Sequence, residues 1–164
     1  GRLLDSLAPV GIVSIERCGR NLHGRYCNMR GVDISKRTSP TDELVVQAAR
    51  RNIASIGIGD GGNEIGMGNV AHAIARKLTL EPCVVTVDNL VVATASNWGG
   101  YGIAAAMGRY AQEKLLPEFD QINGFYQFIV ERGSVDGTTG RREATVDGFS
   151  LETERGVVDA LLQA

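Results

Sequence analysis

The sequence is poor in several features that would commit it to a class. Its apolar stretches run to about five residues, far short of the ~20 that a membrane-spanning helix needs. Neither sign of charge dominates: 17 Lys and Arg stand against 19 Asp and Glu, which removes nucleic-acid or anionic-membrane binding through bulk charge. The three cysteines, at 18, 27 and 83, cannot all pair with one another, and two histidines with no CxxC spacing give no zinc pattern. A reducing compartment follows, the cytoplasm or alternatively the mitochondrial matrix. Aromatic residues make up 5% of the chain, with a single Trp. The opening GRLLDSLAPV has one Arg and no long apolar stretch, so no secretory leader is expected.

What the chain has in excess is glycine, 21 of 164 residues, and it is clustered. The length suits one domain that buries a sizeable core. The first residue is Gly and helical spacing begins at once (Leu3, Leu4, Leu7), so the chain is expected to start inside a domain of a longer protein.

Apolar runs at 10–15, 53–58, 83–87 and 90–94 read as strands, with a tight turn at Asp88-Asn89 and a short strand at 144–146. Helices are expected after Thr41, a candidate cap with Asp42 and Glu43 in the first turn, and over Val70, Ile74 and Leu78. Further helices are expected after the loop 95–101, over Phe119–Ile129, and at the end around Val158, Leu161 and Leu162. Alternation of strands and helices predicts an α/β fold with a mainly parallel sheet and flanking helices. The loops 16–33, 59–69 and 95–101 each follow a strand, and in such folds ligands sit beyond the carboxyl ends of the strands.

Gly57-Ile-Gly59-Asp-Gly-Gly62 matches GxGxxG, but Asp60 and Glu64 in the same loop would repel a pyrophosphate. Asp60, Asn63 and Glu64 instead offer hard oxygen donors on a compact backbone, a candidate site for Mg²⁺ or Mn²⁺. The alternative is that Asp60 and Asn63 cap the next helix. Glu16 ends the first strand and is a candidate base, with Arg17 and Arg20 beside it to clamp a substrate carboxylate or to form structural ion pairs. Between Glu16 and Arg51 there are eight basic residues against four acidic ones. Ser96, Asn97 and Trp98 supply hydrogen bonds and a wall for a small pocket, unless Trp98 simply fills the core.

Three blocks in order, SIERCGRNLHGRYCNMRGVDIS (14–35), IGIGDGGNEIGMGNV (56–70) and ASNWGGYGIAAA (95–106), resemble the C-terminal catalytic domain of the D-glutamate cyclase family. The resemblance extends to VDGTTG (135–140) and TVDGFS (145–150) and so covers nearly the whole chain. It implies the lyase reaction in which D-glutamate becomes 5-oxo-D-proline and water. It also implies an upstream segment with an acidic, Gly/Pro-containing motif, so that residues 1–164 form the C-terminal part of a larger α/β domain. On this reading the catalytic residues are Glu16, Asp60 and Glu64, and the substrate contacts are Arg17, Arg20, Asn63, Ser96, Asn97 and Trp98. Asp60, Asn63 and Glu64 would hold a divalent metal. The partner is a small acidic amino acid, with no nucleic acid and no membrane. The competing readings are a metal-dependent phosphohydrolase and a non-catalytic ligand-binding module.

Overall fold

The computed structural model describes residues 2–164, which divide into two compact units meeting in sequence at Ser96 and Asn97. No helix among them is long and apolar enough to cross a membrane.

The first unit is built on a three-stranded parallel sheet in the order β1 (Gly11–Ile15), β2 (Ala54–Gly59), β3 (Asn89–Val92), in agreement with the expected α/β class. Gly11 lies opposite Ala54 and Ile15 opposite Ile58, while Gly59 lies opposite Val92. Parallel strands need long crossovers. The first passes through the loop after β1 and helix α2 (Asp42–Ala49), following a short N-terminal helix α1 (Arg2–Leu7). The second passes through a 3₁₀ turn at Met67–Val70, helix α3 (Ala71–Lys77) and an extended segment. Ile12 and Leu90 pack from the sheet against a core of Val45, Ile65, Met67, Cys83, Val85 and Val87.

Residues 83–87, expected to be a strand of the sheet, are not one; the third strand is Asn89–Val92. The segment has the right composition and buries its alternate residues Cys83, Val85 and Val87, but its hydrogen bonds go to the glycine loop. The Val85 carbonyl accepts from the N–H groups of Gly66 (2.9 Å) and Gly68 (3.2 Å), and Asn69 bonds both backbone groups of Val87. With partners already found, it has no ladder to join. Asp88, expected in a turn, instead takes the backbone and hydroxyl protons of Ser55 on β2. The expected strand at 144–146 reduces to one bridge between Val146 and Phe149.

The glycines of the middle loop serve close packing. A Cβ on Gly57 would stand 2.5 Å from the Ile65 carbonyl oxygen, and one on Gly68 would stand 2.6 Å from that of Val84. Backbone lies directly on backbone here, and only glycine permits it.

The second unit contains α4, which begins at the boundary (Ser96–Ala111), α5 (Phe119–Glu131) and α6 (Leu151–Gln163). Phe119, Ile122 and Tyr126 form the buried stripe of α5, whose start is fixed by a reciprocal capping box between Glu118 and Gln121. Between α5 and α6 the buried Asp136 gathers the loop. Its Oδ1 accepts from the N–H groups of Thr138 and Thr139, and its Oδ2 from Thr145 Oγ1 and the Gly148 N–H.

Gly57→Ala is expected to lower stability by about 1–3 kcal/mol through overpacking. Gly102→Ala, in α4 with nothing within 4 Å of the added carbon, is expected to raise it by about 0.5–1 kcal/mol. Urea midpoints of both variants check the pair. At Asp136 burial works to raise the carboxyl, but the N–H and hydroxyl donors prevail and hold it well below the usual carboxylate range. Its stabilising contribution is therefore complete above the unfolded value of about 4 and is lost as pH falls below that value. The stability gap between the native protein and Asp136→Asn should be constant from pH 7 to about pH 5 and narrow at lower pH, as read by thermal unfolding.

Candidate functional site

The carboxyl ends of β1 and β2 are clipped together by the two loops that leave them. The Gly19 N–H donates to the Asn63 carbonyl (2.9 Å), and the Ile65 N–H donates to the Arg17 carbonyl (2.8 Å), with Cys18 bridged to Glu64 between them. Asn63 adds a side-chain bond, Nδ2 to the Cys27 carbonyl at 3.0 Å. The expected third loop, 95–101, is instead helix from Ser96 on, and the start of α4 joins through Asp60, whose Oδ2 accepts from the Ser96 backbone N–H (2.7 Å) and from Ser96 Oγ (2.8 Å). Two polar loops and Ser96, far apart in sequence, thus converge within the first unit.

Glu16 lies at the end of β1, its N–H bonded to the Ile58 carbonyl of β2. Its φ is +52°, in the left-handed region that side chains with a Cβ rarely adopt. Such backbone persists where the surroundings over-determine it, and it is found disproportionately at functional sites. Here it brings a carboxylate oxygen of the exposed Glu16 within 4.8 Å of one of the half-buried Asp60. These are two hard oxygen donors at the carboxyl end of a parallel sheet, a place where proton exchange or cation binding is chemically reasonable.

Glu64 is placed differently. It is buried, its Oε1 accepts from the Gly61 N–H (2.9 Å) and its Oε2 from the Gly62 N–H (2.7 Å). Burial pushes its carboxyl above the usual range, against the lowering effect of those backbone donors, and the nearby Asp60 adds to the rise. Both Glu64 oxygens therefore shape the glycine loop from within.

The two arginines also have partners. Arg17 donates from Nε to Thr41 Oγ1 (2.9 Å) and from Nη2 to the Ser39 carbonyl (3.0 Å). Thr41 heads α2 as expected but makes no side-chain cap, its oxygen being occupied by Arg17. Arg20 pairs with Asp42 (3.1 Å) and Glu43 (3.3 Å) in the first turn of α2. Asp42 is fully buried, and its other oxygen accepts from Tyr26 Oη at 2.6 Å. Burial and the Asp42 carboxylate together push the Tyr26 phenol up to about 12, so it remains a donor at neutral pH. The long loop after β1 is thus moored to α2. The three cysteines are free and buried, and desolvation raises the thiols of Cys18 and Cys27.

In the second unit, Asn97 and Trp98 take part in a network that sequence reading did not anticipate. Trp98 Nε1 donates to Glu154 Oε2 (2.5 Å), Tyr101 and Tyr126 reach Glu154 Oε1 (2.9 and 3.2 Å), and Asn97 Nδ2 donates to Tyr126 Oη (3.2 Å). Glu154 is fully buried. The available signal was its place on α6, four residues before Val158 in the stripe that faces the core.

A family model described as D-glutamate cyclase-like, C-terminal, matches residues 5–162. The human protein named D-glutamate cyclase, mitochondrial, is 43% identical over 100 residues, which cover 58% of this chain and 16% of that protein. The chain therefore corresponds to a small part of that relative's length. It belongs to the D-glutamate cyclase-like C-terminal family.

Tyr26→Phe removes one donor from the buried Asp42 carboxylate and is expected to cost about 1.5–3 kcal/mol. Chemical denaturation measures the loss. An unchanged stability would mean that Arg20 alone holds this carboxylate.

Proposed function

We propose that this member of the D-glutamate cyclase-like family carries the site at which D-glutamate closes to 5-oxo-D-proline with release of water, a lyase reaction. The observation that supports it, beside the family, is the approach of the Glu16 and Asp60 carboxylates at the carboxyl ends of adjacent parallel strands. Ring closure forms a bond from the α-nitrogen to the side-chain carboxyl carbon and breaks one carbon–oxygen bond. The ammonium gives up two protons and the departing oxygen takes up two. The reacting groups are tethered, so the site must fold the substrate and move protons.

Glu16, at the end of its strand, takes a proton from the amine. The Glu16 and Asp60 oxygens, within 4.8 Å of each other, can flank one substrate group, and Asp60 delivers a proton to the leaving oxygen. Ser96 fixes the Asp60 oxygen that faces it. Arg17 and Arg20 support the loop through residues 39–43; Arg20 is offset there by Asp42 and Glu43, while Arg17, bonded to the neutral Thr41 and Ser39, brings a positive charge that suits an amino acid with two carboxylates. Asn63 keeps the two loops in register.

The oxygen donors of Glu16 and Asp60 fit a hard divalent cation, whereas each Glu64 oxygen already accepts from a backbone N–H of the glycine loop. Bound there, Mg²⁺ or Mn²⁺ would polarise the side-chain carboxylate. The cytoplasm or the mitochondrial matrix is the compartment that suits three free thiols.

The test uses the full-length protein with D-glutamate and chromatographic detection of 5-oxo-D-proline. Glu16→Gln and Asp60→Asn are each expected to lower turnover by ~10²–10⁴-fold, with the fold intact by circular dichroism. Turnover at the native rate in both variants would overturn the reading. Excess EDTA should abolish activity and Mg²⁺ or Mn²⁺ restore it. An unchanged rate in EDTA would leave the pair with proton transfer alone.

A further inference from the structure

The second unit contains a cavity of about 430 Å³ whose lining includes Asn97, Tyr101, Gln121, Ile122, Phe125 and Tyr126. That volume lies in the range of small-molecule pockets, which are mostly apolar with a few converging polar groups. Here the polar groups are two phenol oxygens 2.9 Å apart, those of Tyr101 and Tyr126, and the amide of Asn97.

Behind the phenols lies the Glu154 carboxylate. Each of its partners can act as a donor: the indole N–H of Trp98 on one oxygen, and the hydroxyls of Tyr101 and Tyr126 on the other. That arrangement suits the ionised form. None of the ion pairs among the described residues includes Glu154. A fully buried anion with donors but no counter-charge projects negative potential into the space next to it. Burial and the neighbouring Glu154 raise both phenols, so they stay protonated and face the carboxylate as donors. The Tyr126 oxygen also accepts from Asn97 Nδ2, which leaves its second lone pair and the Tyr101 oxygen for a donor arriving from the cavity.

The rings add to this field. Phe125, Tyr126 and Tyr101 offer aromatic surface to the same space, and an aromatic face attracts a cation. Elsewhere on α5 that attraction is already in use: the Arg155 guanidinium lies 4.2 Å from the Phe119 ring centre and the Arg132 guanidinium 3.5 Å from that of Phe128. Among the described residues no cation lies over Phe125 or Tyr126, and the cavity lining includes no Lys, Arg or His.

We propose that this pocket binds an organic ammonium ion, its nitrogen against the Tyr101 and Tyr126 oxygens and its alkyl part against Ile122 and Phe125. The lining has no cationic group to receive a carboxylate, so the ligand is an amine without an acid group, different from the amino-acid substrate proposed above. The two readings stand independently.

The chain's one tryptophan, Trp98, hydrogen-bonds the carboxylate behind the pocket and reports on it directly. Butylammonium chloride, titrated into the full chain at constant ionic strength, should change Trp98 emission saturably. Sodium chloride, butan-1-ol and D-glutamate should not. Phe125 is 60% exposed, so Phe125→Leu should fold normally while weakening butylammonium binding at least tenfold. Glu154→Gln, where it folds, should do the same. No saturable change with butylammonium, an equal response to butan-1-ol, or undiminished binding by Phe125→Leu would overturn the proposal.

Discussion

The backbone of residues 64–66 lies directly on β2, and the geometry at the carboxyl end of the sheet depends on that approach. At Gly57 no side chain fits, because the Ile65 carbonyl occupies its place. With the loop so close, Gly66 and Gly68 reach Val85, and the segment 83–87 is drawn in as a layer over the loop instead of a strand beside the sheet. The result is a sheet of three strands with much of its core supplied by irregular chain. Burying irregular backbone is costly unless every polar group finds a partner. Asn69 meets that requirement by bonding both backbone groups of Val87.

The same packing sets the direction of Asp60. Glu64 gathers the N–H groups of Gly61 and Gly62 and fixes the turn between them. Asp60 stands just before this turn and meets Ser96, while the clip between residues 17–19 and 63–65 holds the loop that begins at Glu16. The strain at Glu16 is sustained because its N–H is still part of the β1–β2 ladder.

Much of this was legible in the sequence for local reasons. β1 and β2 are short apolar runs ending in polar loops, and α2 and α5 announce themselves through acidic first turns or a buried stripe at helical spacing. The convergence of the Glu16 and Asp60 loops followed from the rule about strand ends. What was not legible has one cause: a composition signal does not say which partner wins. CVVTV (83–87) has every strand preference, yet its hydrogen bonds go to glycines. Arg17 and Arg20 have the residue type of a carboxylate clamp, but Thr41, Asp42 and Glu43 lie close enough to take them. Glu154 reads as a surface charge until the buried stripe of α6 is drawn through it.

The carboxylates of the chain therefore fall into two kinds, and the distinction is chemical. Asp42, Glu64, Asp136 and Glu154 are buried and surrounded by donors, three of them joining stretches of chain that no apolar core would hold together. In a sequence so rich in glycine, a carboxylate with two or more donors is an efficient organiser, because each bond to a charged acceptor is worth about 1.5–3 kcal/mol and fixes a loop at several points at once. A carboxylate held in this way acts as a fixed point around which its loop is built. Glu16, exposed at its strand end, and Asp60, with one oxygen accepting from Ser96, are the pair on which the proposed reaction rests. On that proposal the carboxylates that build the loops and those that act on the substrate are different residues, held in place by one set of bonds.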